Sequence, residues 1–184
     1  MLAIWLPAGF VLGGILLIHH MVALPVPPAS DARARAAFQT DLPQARWRLF
    51  HVLYRGCGCS RRVIDHLLAG PRPQDVIEEV VMADDHRLPS DFDDRLRAAG
   101  FTVRVVDPDQ LAEHYHLEAA PVLAIMRPDG TVGYLGGYNR HKQAPLFEDV
   151  AVLEKLRRHE TPGPLPLYGC ATSSRLAARA DVLP

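Results

Sequence analysis

Trp47-Arg48-Leu49-Phe50-His51-Val52-Leu53-Tyr54-Arg55-Gly56-Cys57-Gly58-Cys59-Ser60 is the stretch on which the reading of this chain turns. Its run from Trp47 to Tyr54 is apolar except at Arg48 and His51, the pattern of a strand buried on both faces of a sheet. The Gly56–Ser60 segment turns the chain, and Val63, Ile64, Leu67 and Leu68 then recur at helical spacing until Gly70-Pro71 stops the helix. Cys57 and Cys59 therefore fall where a strand ends and a helix begins. Unpaired N–H groups and the macrodipole at a helix N-terminus stabilise an anion. Arg55, Arg61 and Arg62 add positive charge nearby in sequence, so the junction favours a thiolate, the reactive form of a thiol.

Working outward, Val76–Met82 reads as a second strand. A helix is expected from Ser90, an N-cap with Asp93 three residues on, to Gly100. Phe101–Val106 is a short strand, Pro108–His116 a helix and Pro121–Met126 another strand. Asp129-Gly130 makes a tight turn into Thr131–Leu135, a hairpin signal. Leu146–His159 is the last helix. Buried strands alternating with helices predict an α/β fold with a parallel sheet, to which the hairpin adds an antiparallel edge: a central mixed sheet flanked by helices.

The ends differ from this centre. The chain has 184 residues, enough for one compact domain plus extensions, and its sixteen prolines concentrate toward the two ends. A net charge of −1 gives no reason to expect nucleic acid as partner. Met1–Ile18 carries no charged side chain, and apolar character resumes after His19-His20. Residues 1–25 are thus expected to form a transmembrane or signal-anchor helix, although Pro7 interrupts it; a cleaved signal would need a charged n-region, which is missing. Residues 26–45, with Pro27, Pro28 and an Ala/Arg-rich run, are the expected linker, 46–160 the domain, and 161–184 a proline-rich tail carrying Cys170. Arg33, Arg35, Arg46 and Arg48 follow the span, which by the positive-inside rule alone favours a cytoplasmic domain. Asp31 and Asp41 dilute that charge, and the cysteine chemistry suits an oxidising compartment. The domain is therefore expected on the periplasmic side of the membrane.

The order of elements, with cysteines at the first strand-to-helix junction, resembles the thioredoxin fold, and in particular membrane-anchored periplasmic thioredoxin-like proteins. Ala119-Ala120-Pro121-Val122-Leu123-Ala124-Ile125 resembles the segment in which a cis-proline precedes an apolar strand, and Arg127-Pro128-Asp129-Gly130-Thr131-Val132 the turn that follows. Ser90–Val106 resembles an insertion found in those anchored proteins and in peroxiredoxins. The resemblance spans residues 46 to 159. It implies that Pro121 is cis and lies against the active cysteines, leaving the backbone of Ala120 open for strand-like pairing with a substrate. It also implies that His51 takes the buried position of a proton-moving acid. The usual motif has two residues between its cysteines, whereas here only Gly58 intervenes. If Cys57 is the nucleophile, Ser60 stands in the second cysteine's place; if Cys59 is the second cysteine, Gly56 replaces the nucleophile.

A disulfide between Cys57 and Cys59 would close a small, strained ring, and strained disulfides are easily reduced. Cys170 makes the cysteine count odd. Nine residues from Thr161 to Cys170 reach about 25–30 Å when extended, so the tail can fold back over the domain, with Leu165, Leu167 and Tyr168 buried beneath it. Cys170 is then a resolving thiol or a third metal ligand. The expected function is a membrane-tethered, extracytoplasmic thiol–disulfide oxidoreductase acting on protein thiols and disulfides, without cofactor, with Cys57, Cys59, Cys170, Pro121 and His51 in its catalytic site and Ala120 and Pro121 binding substrate. The alternative is a copper(I) chaperone holding the metal through Cys57, Cys59 and Cys170, because soft thiolates favour that ion. No histidine shows a zinc-binding spacing with the cysteines.

Overall fold

Leu49 and Leu53 point to one face of the strand β1 (Trp47–Tyr54) and Phe50 and Val52 to the other, and all four are buried. A strand apolar on both sides must lie between two covering layers. That is its place in this computed structural model, which describes residues 5, 7, 9–14, 23–27, 31–38, 46–85, 91–142 and 144–180. In chain order the elements are α1 (Ala32–Phe38), β1, α2 (Gly58–Ala69), β2 (Val76–Ala83), α3 (Phe92–Ala98), β3 (Thr102–Val106), α4 (Pro108–His114), β4 (Ala119–Ala120), β5 (Val122–Met126), β6 (Val132–Gly136), α5 (Asp149–Arg157), β7 (Cys170–Ala171) and α6 (Ser174–Ala180).

The main sheet has the order β3-β2-β1-β5-β6. β1 runs parallel to β2, β2 parallel to β3, and β5 antiparallel to both β1 and β6. The sheet is mixed, as expected, with β1 at its centre. Val63, Ile64 and Leu67 of α2, Leu96 of α3 and Leu153 of α5 close one face together with Leu123 and Ile125. Phe38, Leu111, Tyr115, Val122 and Ala124 pack on the other. Aliphatic side chains buried this way contribute about 1.5–3 kcal/mol each before the entropy of ordering them is counted.

Several boundaries differ from the sequence reading. α3 begins at Phe92 with Asp91 at its N-cap, while the expected cap, Ser90, lies outside the described residues. α4 stops at His114 because Tyr115 turns inward as its C-cap. α5 starts at Asp149 rather than Leu146, which is exposed in the preceding loop. Within the expected linker, α1 packs on the domain: Phe38 is fully buried, with its ring 5.0 Å from that of Phe50 and 5.6 Å from that of Tyr115.

Much of the expected membrane span lies outside the described residues. Among those described, no helix is long and apolar enough to cross a membrane. Leu24, near the end of that span, instead donates its N–H to Leu167 O at 2.8 Å and packs on the core. The tail also has structure that local patterning did not reveal. β7 pairs antiparallel with β4, and α6 follows it with Leu176 buried.

Candidate active site

Cys57 is the N-cap of α2, with φ −102 and ψ 122, and no side chain caps the helix there. Gly58, Cys59 and Ser60 form the first helical turn. Of the two cysteines it is Cys57, not Cys59, that stands at the junction itself, with Ser60 three residues on. Ser60 is fully buried and its Oγ accepts a hydrogen bond from Tyr54 N at 3.0 Å, which fixes the end of β1 to the start of α2.

Cys57 is bonded to Cys170, with Cα atoms 5.9 Å apart across a sequence separation of 113 residues. Cys59 is a half-buried free thiol outside this bond. The expected short Cys57–Cys59 ring is therefore not what the structure holds; the tail reaches Cys57 instead. Arg55, Arg61 and Arg62 have other partners as well. Arg55 is buried in ion pairs with Asp84 at 2.9 Å and Asp93 at 2.7 Å. The Arg61 guanidinium lies over Phe92, and Arg62 donates to Ala144 O at 2.9 Å.

The Ala120–Pro121 peptide bond is cis, as the resemblance implied. Cys57 Sγ lies 3.8 Å from the Ala120 carbonyl oxygen, so this segment meets the cysteine. Ala120 is not open for a substrate, however. It is fully buried and pairs with Cys170, while Ala119 pairs with Ala171 and Thr172 N donates to Glu118 O at 2.7 Å. The edge expected to receive a substrate strand is occupied by the chain's own tail.

Several contacts seat the tail. Leu167 is buried, whereas Leu165 and Tyr168 are half-buried rather than enclosed. Gly137 N donates to Leu165 O at 2.9 Å, and Leu165 N donates to the Tyr134 hydroxyl at 3.1 Å. Beyond β7, the Glu118 carboxylate accepts from Ser173 Oγ and from Arg175 Nε, each at 2.8 Å. Two glycines allow the close approach: a Cβ on Gly137 would overlap the Pro166 carbonyl, and one on Gly169 would overlap the Ala120 carbonyl.

Cys59 lines a cleft together with Pro121, Tyr138, Lys142 and Tyr168. His51 is connected to it. Fully buried on β1, its Nδ1 lies 2.8 Å from the Tyr138 hydroxyl and its Nε2 2.9 Å from Glu78 Oε2. His51 thus occupies the expected buried position but bonds to these two groups rather than to a cysteine. Glu78 and Asp149 both accept from Arg72 Nη2, at 2.9 and 2.8 Å, and Asp149 also meets His66 Nε2 at 3.0 Å. Burial opposes charge on Glu78, yet hydrogen bonds from His51 and Arg72 outweigh it and hold the carboxyl below its usual range. Asp149 likewise loses solvation, but His66 and Arg72 hold it well below the carboxylate range. Burial, aided by the Asp149 charge, pushes the Tyr138 hydroxyl well above the usual phenol value, so it stays protonated.

The cysteines, Pro121 and His51 were expected from the sequence, whereas Tyr138, Glu78, Arg72 and Asp149, which extend the polar chain from His51, were not. Those four come from two elements and two loops, with no common spacing. Among the described residues, no group of three or more His, Cys, Asp or Glu side chains could hold a metal ion. Two of the three cysteines proposed as copper ligands are bonded to each other.

No protein-family model matches the sequence, and no curated protein matches it. Solved structures do align with the fold. An uncharacterized conserved protein from Geobacillus kaustophilus is similar with a TM-score of 0.55 at 15% identity, covering 70% of this chain and 77% of that one. A hypothetical protein from Sinorhizobium meliloti 1021 aligns with a TM-score of 0.53 at 13% identity, over 83% of this chain and 91% of that one. The thioredoxin domain of a thiol-disulfide oxidoreductase from Bacteroides vulgatus aligns with a TM-score of 0.42 at 16% identity, over 61% and 80%. By its strand order, its cis-proline before β5 and its cysteine at the β1–α2 junction, the chain carries the thioredoxin fold.

Proposed function

We propose that this protein is a thiol–disulfide oxidoreductase acting on protein thiols and disulfides, with Cys57 and Cys170 as its redox pair. The observation that carries the reading is the Cys57–Cys170 bond at a helix N-terminus, beside cis-Pro121. In the reducing direction the Cys57 thiolate attacks one sulfur of a substrate disulfide, and the other sulfur leaves as a thiolate. Cys170 then attacks Cys57 Sγ, and the first substrate sulfur leaves. The substrate gains two electrons, the Cys57–Cys170 disulfide re-forms, and a dithiol donor must restore it. Run backwards, the same steps oxidise a dithiol. The His51–Tyr138 pair lies behind the cleft lined by Cys59 and Pro121, with the Tyr138 hydroxyl held at His51 Nδ1.

A membrane tether and an extracytoplasmic location complete the proposal. The described part of the N-terminal segment carries exposed Trp5, Phe10, Val11 and Leu12, apolar surface suited to lipid. A structural or catalytic disulfide persists most readily in an oxidising compartment.

Full-length protein in detergent, supplied with a disulfide-bonded protein and dithiothreitol, should reduce it faster than dithiothreitol alone. The Cys57→Ser variant should be at background. A Cys57–Cys170 bond that neither exchanges with dithiol nor accelerates substrate reduction would refute the reading. Sedimentation with membranes, and labelling of Cys59 in intact spheroplasts by an impermeant maleimide, tests the tether and the side.

A further inference from the structure

β7 makes two kinds of bond with one short segment. Its backbone lies antiparallel to β4 with Cys170 opposite Ala120, and its sulfur is bonded to Cys57. A mixed disulfide with a substrate needs the same pair: a sulfur on Cys57 and an extended backbone along Ala119–Ala120. The two-residue edge of β4 has room for one strand. We infer that the tail is a built-in stand-in for the substrate, and that the partner is an extended polypeptide whose cysteine directly follows a glycine and stands three residues after an apolar side chain. The inference rests on the oxidoreductase reading above.

Each element of that pattern has a physical cause in the docked tail. The residue before the cysteine passes so close to β4 that a Cβ on Gly169 would overlap the Ala120 carbonyl and come within 2.8 Å of Pro121 Cδ. Backbone on one side and a fixed proline ring on the other cannot give way, so a partner must also carry glycine there. Three residues before Cys170, Leu167 is buried in the cluster that includes Ala119, Val122 and Leu135. Tyr168 lines the cleft beside Pro121 and Cys59, an open position that tolerates other side chains.

Shared occupancy also sets the order of events. While a substrate strand lies on β4, Cys170 is displaced. When Cys170 attacks Cys57 Sγ, the same movement restores β7 on β4. Breaking the mixed disulfide and evicting the substrate backbone are thus one step, in which the substrate sulfur leaves with the electron pair.

The test uses a peptide of residues Pro166 to Thr172, supplied as its mixed disulfide with thionitrobenzoate. The Cys57 thiolate attacks the peptide sulfur and the coloured aryl thiolate leaves, so colour release times the docking. Full-length Cys170→Ser protein and fully reduced wild type are both assayed, and mass spectrometry locates the adduct. The native peptide should react at least about tenfold faster than its Gly169→Val version. A Leu167→Ser peptide should also be slower than the native one. Equal rates for all three peptides on Cys57 would overturn the inference and leave the oxidoreductase reading standing. Adducts on Cys59 alone, or undiminished release by Cys57→Ser protein, would overturn both.

Discussion

β1 and β2 pair along their whole length, from Trp47 opposite Val76 to Tyr54 opposite Ala83, with side chains buried on both faces. β4 and β7 pair only at Ala119 opposite Ala171 and Ala120 opposite Cys170. The first seam is held by area removed from water on two sides. The second orders an extended tail for few backbone bonds, each worth about 0.5–1.5 kcal/mol net against about 1–2 kcal/mol of entropy per residue fixed. A covalent bond closes the difference by tying Cys170 to Cys57. One seam is therefore independent of redox state and the other depends on it.

The sharpest division between the regions is chemical. Cys57→Ser should reduce disulfide turnover to background while the sheet remains folded, as measured by an exchange assay and circular dichroism. Turnover surviving that substitution would place the chemistry elsewhere. Next in size is the effect of reduction on the tail. Hydrogen exchange at Thr172 and through α6 should rise sharply under reducing conditions or in Cys170→Ser. Amides of β1 and β2 should keep their protection. Equal acceleration in both regions would mean that the tail is integral to the core.

The core has its own point of failure, where charge rather than sulfur is buried. Asp149 meets both Arg72 and His66 inside the domain. Removing one partner of a buried ion pair costs about 3–5 kcal/mol, so Asp149→Ala should lower the unfolding free energy from urea titration by that much without opening the disulfide. Folding lowers the pKa of both Asp149 and Glu78. Their contribution is thus complete above the ordinary carboxylate range and is lost as the pH falls through that range toward their lowered native values. Urea midpoints measured downward from pH 6 should fall less steeply for Asp149→Ala than for wild type. Parallel curves would remove Asp149 from the account.

What the sequence made legible follows the same division. β1, α2 and the β5–β6 hairpin carry their own periodicity or turn chemistry, so their existence could be read locally. Cys57 and Pro121 were legible by position within that order. β4 and β7 are each two residues long, below any period. α1 and α6 are as short as α3 and α4 but have no acidic residue in the first turn to mark a start. Cys170 announced itself only as an odd cysteine beyond a proline spacer, and its choice of Cys57 over Cys59 depends on the register of β7 on β4. The Tyr138–His51–Glu78 chain joins β1, β2 and the loop after β6, segments distant in sequence, so no spacing marks it. The expectation that Ala120 stands open failed for a related reason: nothing local shows that the chain supplies its own strand.

The smallest effect falls where the two regions touch. The Tyr134 ring is buried in the core, but its hydroxyl donates to Gly137 O at 2.7 Å and accepts from Leu165 N at 3.1 Å, the start of the docked tail. Tyr134→Phe keeps the ring and leaves a donor and an acceptor unmatched. The expected cost is about 1–3 kcal/mol, seen mainly as faster exchange at Leu165 and only weakly in β1. Burial pushes this hydroxyl up to about 12, against an ordinary value of 10.0. Because folding raises the pKa, the hydroxyl's contribution is complete below pH 10.0 and is lost as the pH rises toward about 12. The stability gap between wild type and Tyr134→Phe should therefore narrow over that alkaline window. A gap that stays constant would show that the hydroxyl ionises equally well folded and unfolded, and so does not join the tail to the core.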